Sequence, residues 1–151
     1  MHYYDYHKIL SYNIPVNILI GERGCGKSYG AKNYVITQYK KKQSHFIYLR
    51  RYENELKSVF EKDKNNPKDF FDDIKNDFKN DNLEAKHKKF YINGECFGFA
   101  KRLTEAQDLK SATYENVKTI IIDEYPIEKN KRYYLPDEGM ILMRYFWFYY
   151  S

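Results

Sequence analysis

Eight consecutive residues carry the clearest chemical pattern in the chain: Gly21, Glu22, Arg23, Gly24, Cys25, Gly26, Lys27 and Ser28. Their spacing is Gly-x-x-x-x-Gly-Lys-Ser, the P-loop or Walker A pattern of nucleoside-triphosphate-binding proteins. Glycines open backbone conformations closed to other residues, so that successive N–H groups can converge on phosphate oxygens. A helix opening near Gly26 adds its positive dipole end to the same place. In that arrangement Lys27 reaches the β- and γ-phosphates, and the Ser28 hydroxyl ligates Mg²⁺. The competing explanation is a Gly-rich turn that matches by chance. Against it stand an apolar run at 16–20, which predicts a strand, and a helix-capable segment at 27–39, the strand–loop–helix context the motif requires.

A second pattern lies about a hundred residues on, at Thr119-Ile120-Ile121-Ile122-Asp123-Glu124. Three successive isoleucines predict a strand buried on both faces, as in the centre of a parallel sheet. An acid at the end of such a strand suits a metal-positioning role, which falls to Asp123. A carboxylate directly after it can polarise a water near the γ-phosphate, which makes Glu124 the candidate general base. Taken alone, the two acids are equally explained as a strand end at the solvent surface.

The remaining composition sets bounds. At 151 residues with a 42% apolar fraction, the chain is long enough for one domain with a core and short for two. The formal charge of +5 fits a polyanionic partner but is common in proteins without one. Cys25 and Cys96 form no disulfide framework, and a disulfide at Cys25 would obstruct the phosphate loop, which points to a reducing, cytosolic setting. The histidines, His2, His7, His45 and His87, have no metal-ligand spacing. No secretory signal is legible, and the apolar stretch 140–150 is too short to span a bilayer. Aromatics at 19% are high; an AT-rich coding genome would produce that with no functional cause.

The elements that must position these residues follow from periodicity. Residues 45–49 predict a strand that ends in Arg50-Arg51, which read either as contacts to DNA or a neighbouring subunit's nucleotide, or as solvated loop charges. Apolar spacing predicts helices at 53–60 and 68–78, and Asn93-Gly94 between apolar runs predicts a hairpin. Tyr4, Tyr6 or Tyr12 could face an adenine, though each is more simply a surface or core tyrosine. Residues 104–113 predict a short helix and loop holding Lys110-Ser111, and Pro136-Asp137-Glu138 predicts a helix start. The aromatic run 145–150 predicts a buried strand or a contact patch.

The order of these motifs resembles the ATPase domain of the DNA-packaging (encapsidation) motors of phi-29-like tailed phages. The likeness runs through the segment from Ile18 to Tyr29, with Arg23 at the third loop position, and through Phe46-Ile47-Tyr48-Leu49-Arg50-Arg51-Tyr52. It continues through Phe90-Tyr91-Ile92-Asn93-Gly94, Lys110-Ser111, Tyr114-Glu115-Asn116-Val117 and Ile121-Ile122-Asp123-Glu124, covering roughly residues 8–143. That resemblance implies an α/β P-loop NTPase fold: a RecA-like (additional-strand, catalytic-glutamate) core with a mostly parallel central sheet, helices on both faces and a β-hairpin insertion. It implies Gly21 through Tyr29 at the nucleotide, Ser28 and Asp123 at Mg²⁺, and Lys27 and Glu124 as catalytic groups, with ATP and Mg²⁺ as cofactors. Arg23 would act on the nucleotide or on a neighbouring subunit.

The implied function is translocation of double-stranded DNA into a prohead, in the host cytoplasm and transiently at the prohead. The implied partners are the portal or connector, a packaging RNA, and copies of the chain in a homo-oligomeric ring, pentameric by the resemblance; no membrane is involved. One departure stands out. That family continues past the acidic strand with a sensor residue, an arginine finger and a nuclease-like C-terminal domain, which Arg144 and the aromatic run do not match. The expectation is therefore a single, apparently truncated P-loop ATPase domain over residues 1–151 with weak turnover by itself. A module that binds nucleotide for regulation or assembly without sustained turnover is the alternative. A small kinase is disfavoured because no acceptor site is legible.

Overall fold

The structure, a computed structural model, describes residues 4–14, 17–61, 69–105 and 114–123. Along these run helix α1 (Tyr6–Ser11), helix α2 (Lys27–Lys42), strand β1 (His45–Arg50), helix α3 (Glu53–Phe60), and strands β2 (Leu83–Lys86), β3 (Lys89–Ile92), β4 (Glu95–Arg102) and β5 (Val117–Ile122). The strands form one sheet in the order β2-β3-β4-β1-β5. β1 pairs in parallel with both β4 and β5, whereas β2–β3 and β3–β4 are antiparallel.

α2 forms because Ala31, Val35 and Tyr39 recur every fourth residue and, with Ile36, line one buried stripe. It starts at Gly26, whose left-handed φ of 82° breaks the preceding chain. It stops at Gln43, whose left-handed backbone N–H donates to the Tyr39 carbonyl at 2.8 Å. Lys40, Lys41 and Lys42 fill its last turn, where cations complement the dipole. β1 is buried along its four central residues. Phe46 and Tyr48 enter a large core with α2, while Ile47 and Leu49 face a smaller one with Leu103 and Val117. The phenylalanines have a structural job here: Phe46, Phe71, Phe90 and Phe97 are all within 1% of full burial. Gly98, opposite Phe46 across the β1–β4 pair, leaves room for that ring, since a Cβ there would lie 2.2 Å from its Cε1.

Several expectations are met and several are corrected. The strand at 45–49, the helices at 27–39 and 53–60, and the hairpin at Asn93-Gly94 all form, the last with φ of 51° and 84° at its two turn residues. The RecA-like core is overturned. Two of the four strand pairings are antiparallel, so the sheet is mixed rather than mostly parallel. The described helices α2 and α3 contribute Val35, Ile36, Tyr39 and Leu56 to one and the same core, not to opposite faces. The hairpin is no insertion, because its second strand, β4, is the direct neighbour of β1.

Residues 17–20, expected as the strand entering the loop, are in no strand, and Ile18 and Ile20 are 79% and 85% exposed. Among the described strands β5, expected at the sheet centre, lies at the end of the order, and β1 is the strand buried on both sides. The segment expected as a helix at 68–78 is a chain of turns from residue 70 on, held by i to i−3 bonds such as Ile74 N–H to Phe71. The turns, which run on to residue 80, and the residue after them are strapped to α2 by Tyr29 with Asp77, Lys32 with Asp73, and Lys40 with Asp81. The segments at 106–113 and 124–151, with Lys110, Ser111, Glu124, Arg144 and the aromatic run, lie outside the described residues.

Candidate functional site

The loop 21–26 ends directly in α2, and Gly24 and Gly26 both hold left-handed φ, 86° and 82°. No atom lies within 4 Å of the point where a Gly24 Cβ would stand, so the space beside the loop is open. Gly21, Glu22, Arg23, Gly24 and Ser28 are exposed, while Cys25, Gly26 and Lys27 are partly buried. The Lys27 ammonium folds back on its own loop, donating to the carbonyls of Gly21 at 2.6 Å and Glu22 at 2.8 Å, and lies 3.2 Å from the Cys25 Sγ. The loop is therefore wrapped around a cation at the amino end of a 16-residue helix. Tyr29 points elsewhere: its hydroxyl donates to Asp77 and its ring packs against the large core.

The two flanks of the loop are gripped from the N-terminal segment. The Tyr4 hydroxyl donates to the Ile20 carbonyl and the Tyr6 hydroxyl to the Lys27 carbonyl, both at 2.8 Å. Asp5 caps α1 by accepting from the Lys8 N–H at 3.1 Å, and His7 lays its ring 5.2 Å from that of Tyr34 on α2.

The acidic edge is built by the parallel strands, whose carboxyl ends fall together. Asp123 follows β5, with its N–H 3.5 Å from the Leu49 carbonyl of β1. Tyr48 donates to its Oδ2 at 3.1 Å, Arg50 Nε donates to the Tyr48 hydroxyl at 3.0 Å, and Arg50 Nη2 lies 3.6 Å from the same Oδ2. Burial, then the negative charge of Asp123, pushes the Tyr48 hydroxyl up from its ordinary value. Arg51, the next residue, is buried at 8% exposure.

Burial raises the Tyr6 hydroxyl to about 12, and the charges of Asp123, Tyr4 and Cys25 push in the same direction. Gly21 to Ser28 form the loop and the first turn of α2, Tyr29 turns to Asp77 and the large core, Asp123 stands after β5 with Tyr48 and Arg50, and Glu124 lies outside the described residues. Sequence reasoning missed Tyr48 as the partner of Asp123. It treated Arg50 as a DNA, trans-nucleotide or solvated charge, where the structure pairs it with Asp123. Strand alternation places Tyr48 on a face but does not name what its hydroxyl meets across the sheet.

Chemically, the loop offers donors to an anion (an ammonium, a hydroxyl and a helix start), and the end of β5 offers a carboxylate to a cation. Among the described residues no group of His, Cys, Asp and Glu forms a ready metal cluster. None of the described helices is long and apolar enough to cross a membrane.

Residues 1–147 match the podovirus DNA encapsidation protein (Gp16) family, and the chain belongs to that family. The DNA packaging protein of Bacillus phage phi29 is 39% identical over 141 residues, which cover 93% of this chain. The chain spans 40% of the length of that relative. The crystal structure of the N-terminal domain of the DNA packaging ATPase from bacteriophage phi29 is similar with a TM-score of 0.84 at 37% identity, covering 99% of this chain and 73% of that one. A chain of the phi29 viral genome packaging motor assembly is similar with a TM-score of 0.78 at 38% identity, covering 95% of this chain and 41% of that one.

Proposed function

We propose that this chain is the nucleotide-handling part of a phage DNA-packaging motor, binding ATP with Mg²⁺ and hydrolysing it in the service of moving double-stranded DNA into a prohead. Family membership supports the packaging role, and the likeness to an ATPase N-terminal domain and to a motor assembly supports the nucleotide and a homo-oligomeric ring. The observation that carries the reading is the glycine loop wrapped around the Lys27 ammonium at the start of α2.

The residues fit a magnesium nucleotide. Open space beside Gly24, the exposed Ser28 hydroxyl and the helix start suit phosphate oxygens. Lys27 would exchange the Gly21 and Glu22 carbonyls for β- and γ-phosphate oxygens, a stronger partner because it carries charge. Ser28 and Asp123 would hold the metal, and Tyr48 and Arg50 would orient the Asp123 carboxylate. Glu124 would take a proton from water. Bound magnesium supplies charge neutralisation at the transferring phosphoryl group. Portal, packaging RNA and neighbouring subunits complete the proposed setting, inside the host cell and at the prohead.

The test is uptake and turnover of labelled Mg-ATP. Lys27→Ala is expected to abolish uptake, and Glu124→Gln to keep uptake while removing turnover. Hydrolysis by Glu124→Gln at the wild-type rate would overturn the assigned base. Uptake retained by Lys27→Ala would overturn the site. Stimulation of turnover by DNA, lost at high salt, is expected of the motor and not of a regulatory module.

A further inference from the structure

We infer that Tyr4 and Tyr6 are positioning residues that keep the phosphate loop in binding shape, an inference that rests on the nucleotide reading above. The loop is weakly self-supported. Its internal backbone contact, Cys25 N–H to the Glu22 carbonyl, is long at 3.4 Å, and two of its residues sit in left-handed glycine conformations that an unfolded chain leaves freely. Its other internal ties are the contacts of the Lys27 ammonium with the Gly21 and Glu22 carbonyls and with Cys25 Sγ. Those are the bonds the ammonium gives up when it turns to a phosphate. Something else must then hold the two ends of the loop.

Two phenols two residues apart do so, one at each end: Tyr4 on the Ile20 carbonyl and Tyr6 on the Lys27 carbonyl, both at 2.8 Å. Each tyrosine is matched to a glycine. A Cβ on Gly21 would lie 2.8 Å from the Tyr4 hydroxyl oxygen, and a Cβ on Gly30 would lie 2.7 Å from two carbons of the Tyr6 ring. Gly30 stands inside α2, where glycine is a poor helix residue, so its presence is explained by the ring it admits. The Asp5 cap secures the start of α1, and the His7–Tyr34 contact sets α1 against α2, which places both phenols. A tyrosine stacked on the nucleobase would need its ring face, whereas here the hydroxyls do the binding, to main-chain oxygens.

The experiment compares the full chain with Tyr4→Phe, Tyr6→Phe and the double variant, titrated with labelled Mg-ATP and with magnesium tripolyphosphate, at a temperature where each is folded by circular dichroism. Each lost hydroxyl is expected to weaken both ligands alike by roughly fivefold. Gly30→Ala, which drives the Tyr6 ring out, is expected to give the same parallel loss and offers a second route if a phenylalanine variant folds poorly. Unchanged affinity for both ligands would overturn the inference. So would a loss confined to ATP, which is the signature of a base contact. A lower melting temperature with unchanged affinity of the folded fraction would show a merely structural role and also overturn it. Wild type that takes up neither ligand would instead sink the nucleotide reading itself.

Discussion

Gly98→Ala adds a single methyl group, yet the structure predicts a substantial loss of stability. The new Cβ would stand 2.2 Å from Cε1 of Phe46 and 2.6 Å from both Cδ1 and Cζ, where ordinary contact begins at 3.4 Å. The ring would have to retreat by about 1.2 Å, and it has nowhere to go. Phe90 is stacked on it with centroids 5.0 Å apart, Phe97 tilts against it at 5.3 Å, and all three rings are buried. Overpacking of this kind costs about 1–3 kcal/mol. Replacing a strand glycine by alanine returns about 0.5–1 kcal/mol of backbone entropy. Sterics win, and the net loss is roughly 1–2 kcal/mol, a fall in Tm of about 2–8 °C. Urea unfolding of wild type, Gly98→Ala, Phe46→Leu and the double variant closes the cycle. The leucine withdraws the clashing ring atoms, so the double variant should be more stable than the two separate losses imply, by about 1 kcal/mol. A Gly98→Ala protein as stable as wild type, or strict additivity in the cycle, would refute the packing argument.

Other consequences are open to the same kind of check. Burial among Tyr39 and Phe99 lowers the His45 pKa, so the folded state resists its protonation while the unfolded chain accepts it near 6.5. Stability should be fully present well above pH 6.5 and fall as the pH drops below it, and His45→Gln should flatten that part of a urea-midpoint-against-pH curve. Tyr48→Phe removes the hydroxyl that joins Arg50 to Asp123. It should raise the Mg²⁺ concentration needed for half-maximal nucleotide uptake roughly tenfold; an unchanged magnesium titration would count against Asp123 as the metal carboxylate.

Local pattern was a sound guide wherever a segment's partners lay close or its signal was dense. The loop glycines, the helix from Lys27, the Asn93-Gly94 turn and the strand at 45–49 could all be read from neighbouring residues. It misled where backbone pairing decides. The apolar run at 17–20 has strand composition, yet a strand exists only with a hydrogen-bonded neighbour, and Ile18 and Ile20 stand exposed instead. At 69–78 the apolar spacing correctly put Phe71 and Ile74 in the core. The main chain there closes mostly i to i−3 bonds, such as Ile74 N–H to Phe71 and Asp77 N–H to Ile74, in place of a helical ladder. The site shows the same division. Loop residues were visible in a row, but Tyr4, Tyr6 and Tyr48 act across 16, 21 and 75 positions of sequence.

The straps along α2 have a mechanical consequence. Sixteen helical residues form a rod about 24 Å long. Tyr29, Lys32 and Lys40 bolt it to the turn segment 69–82 near one end, a third of the way along and near the other. The loop end of the rod is thereby linked along its length to Asp81 and, through the Asn93 side chain bonded to both Asp81 and Asn82, to the tip of the β3–β4 hairpin.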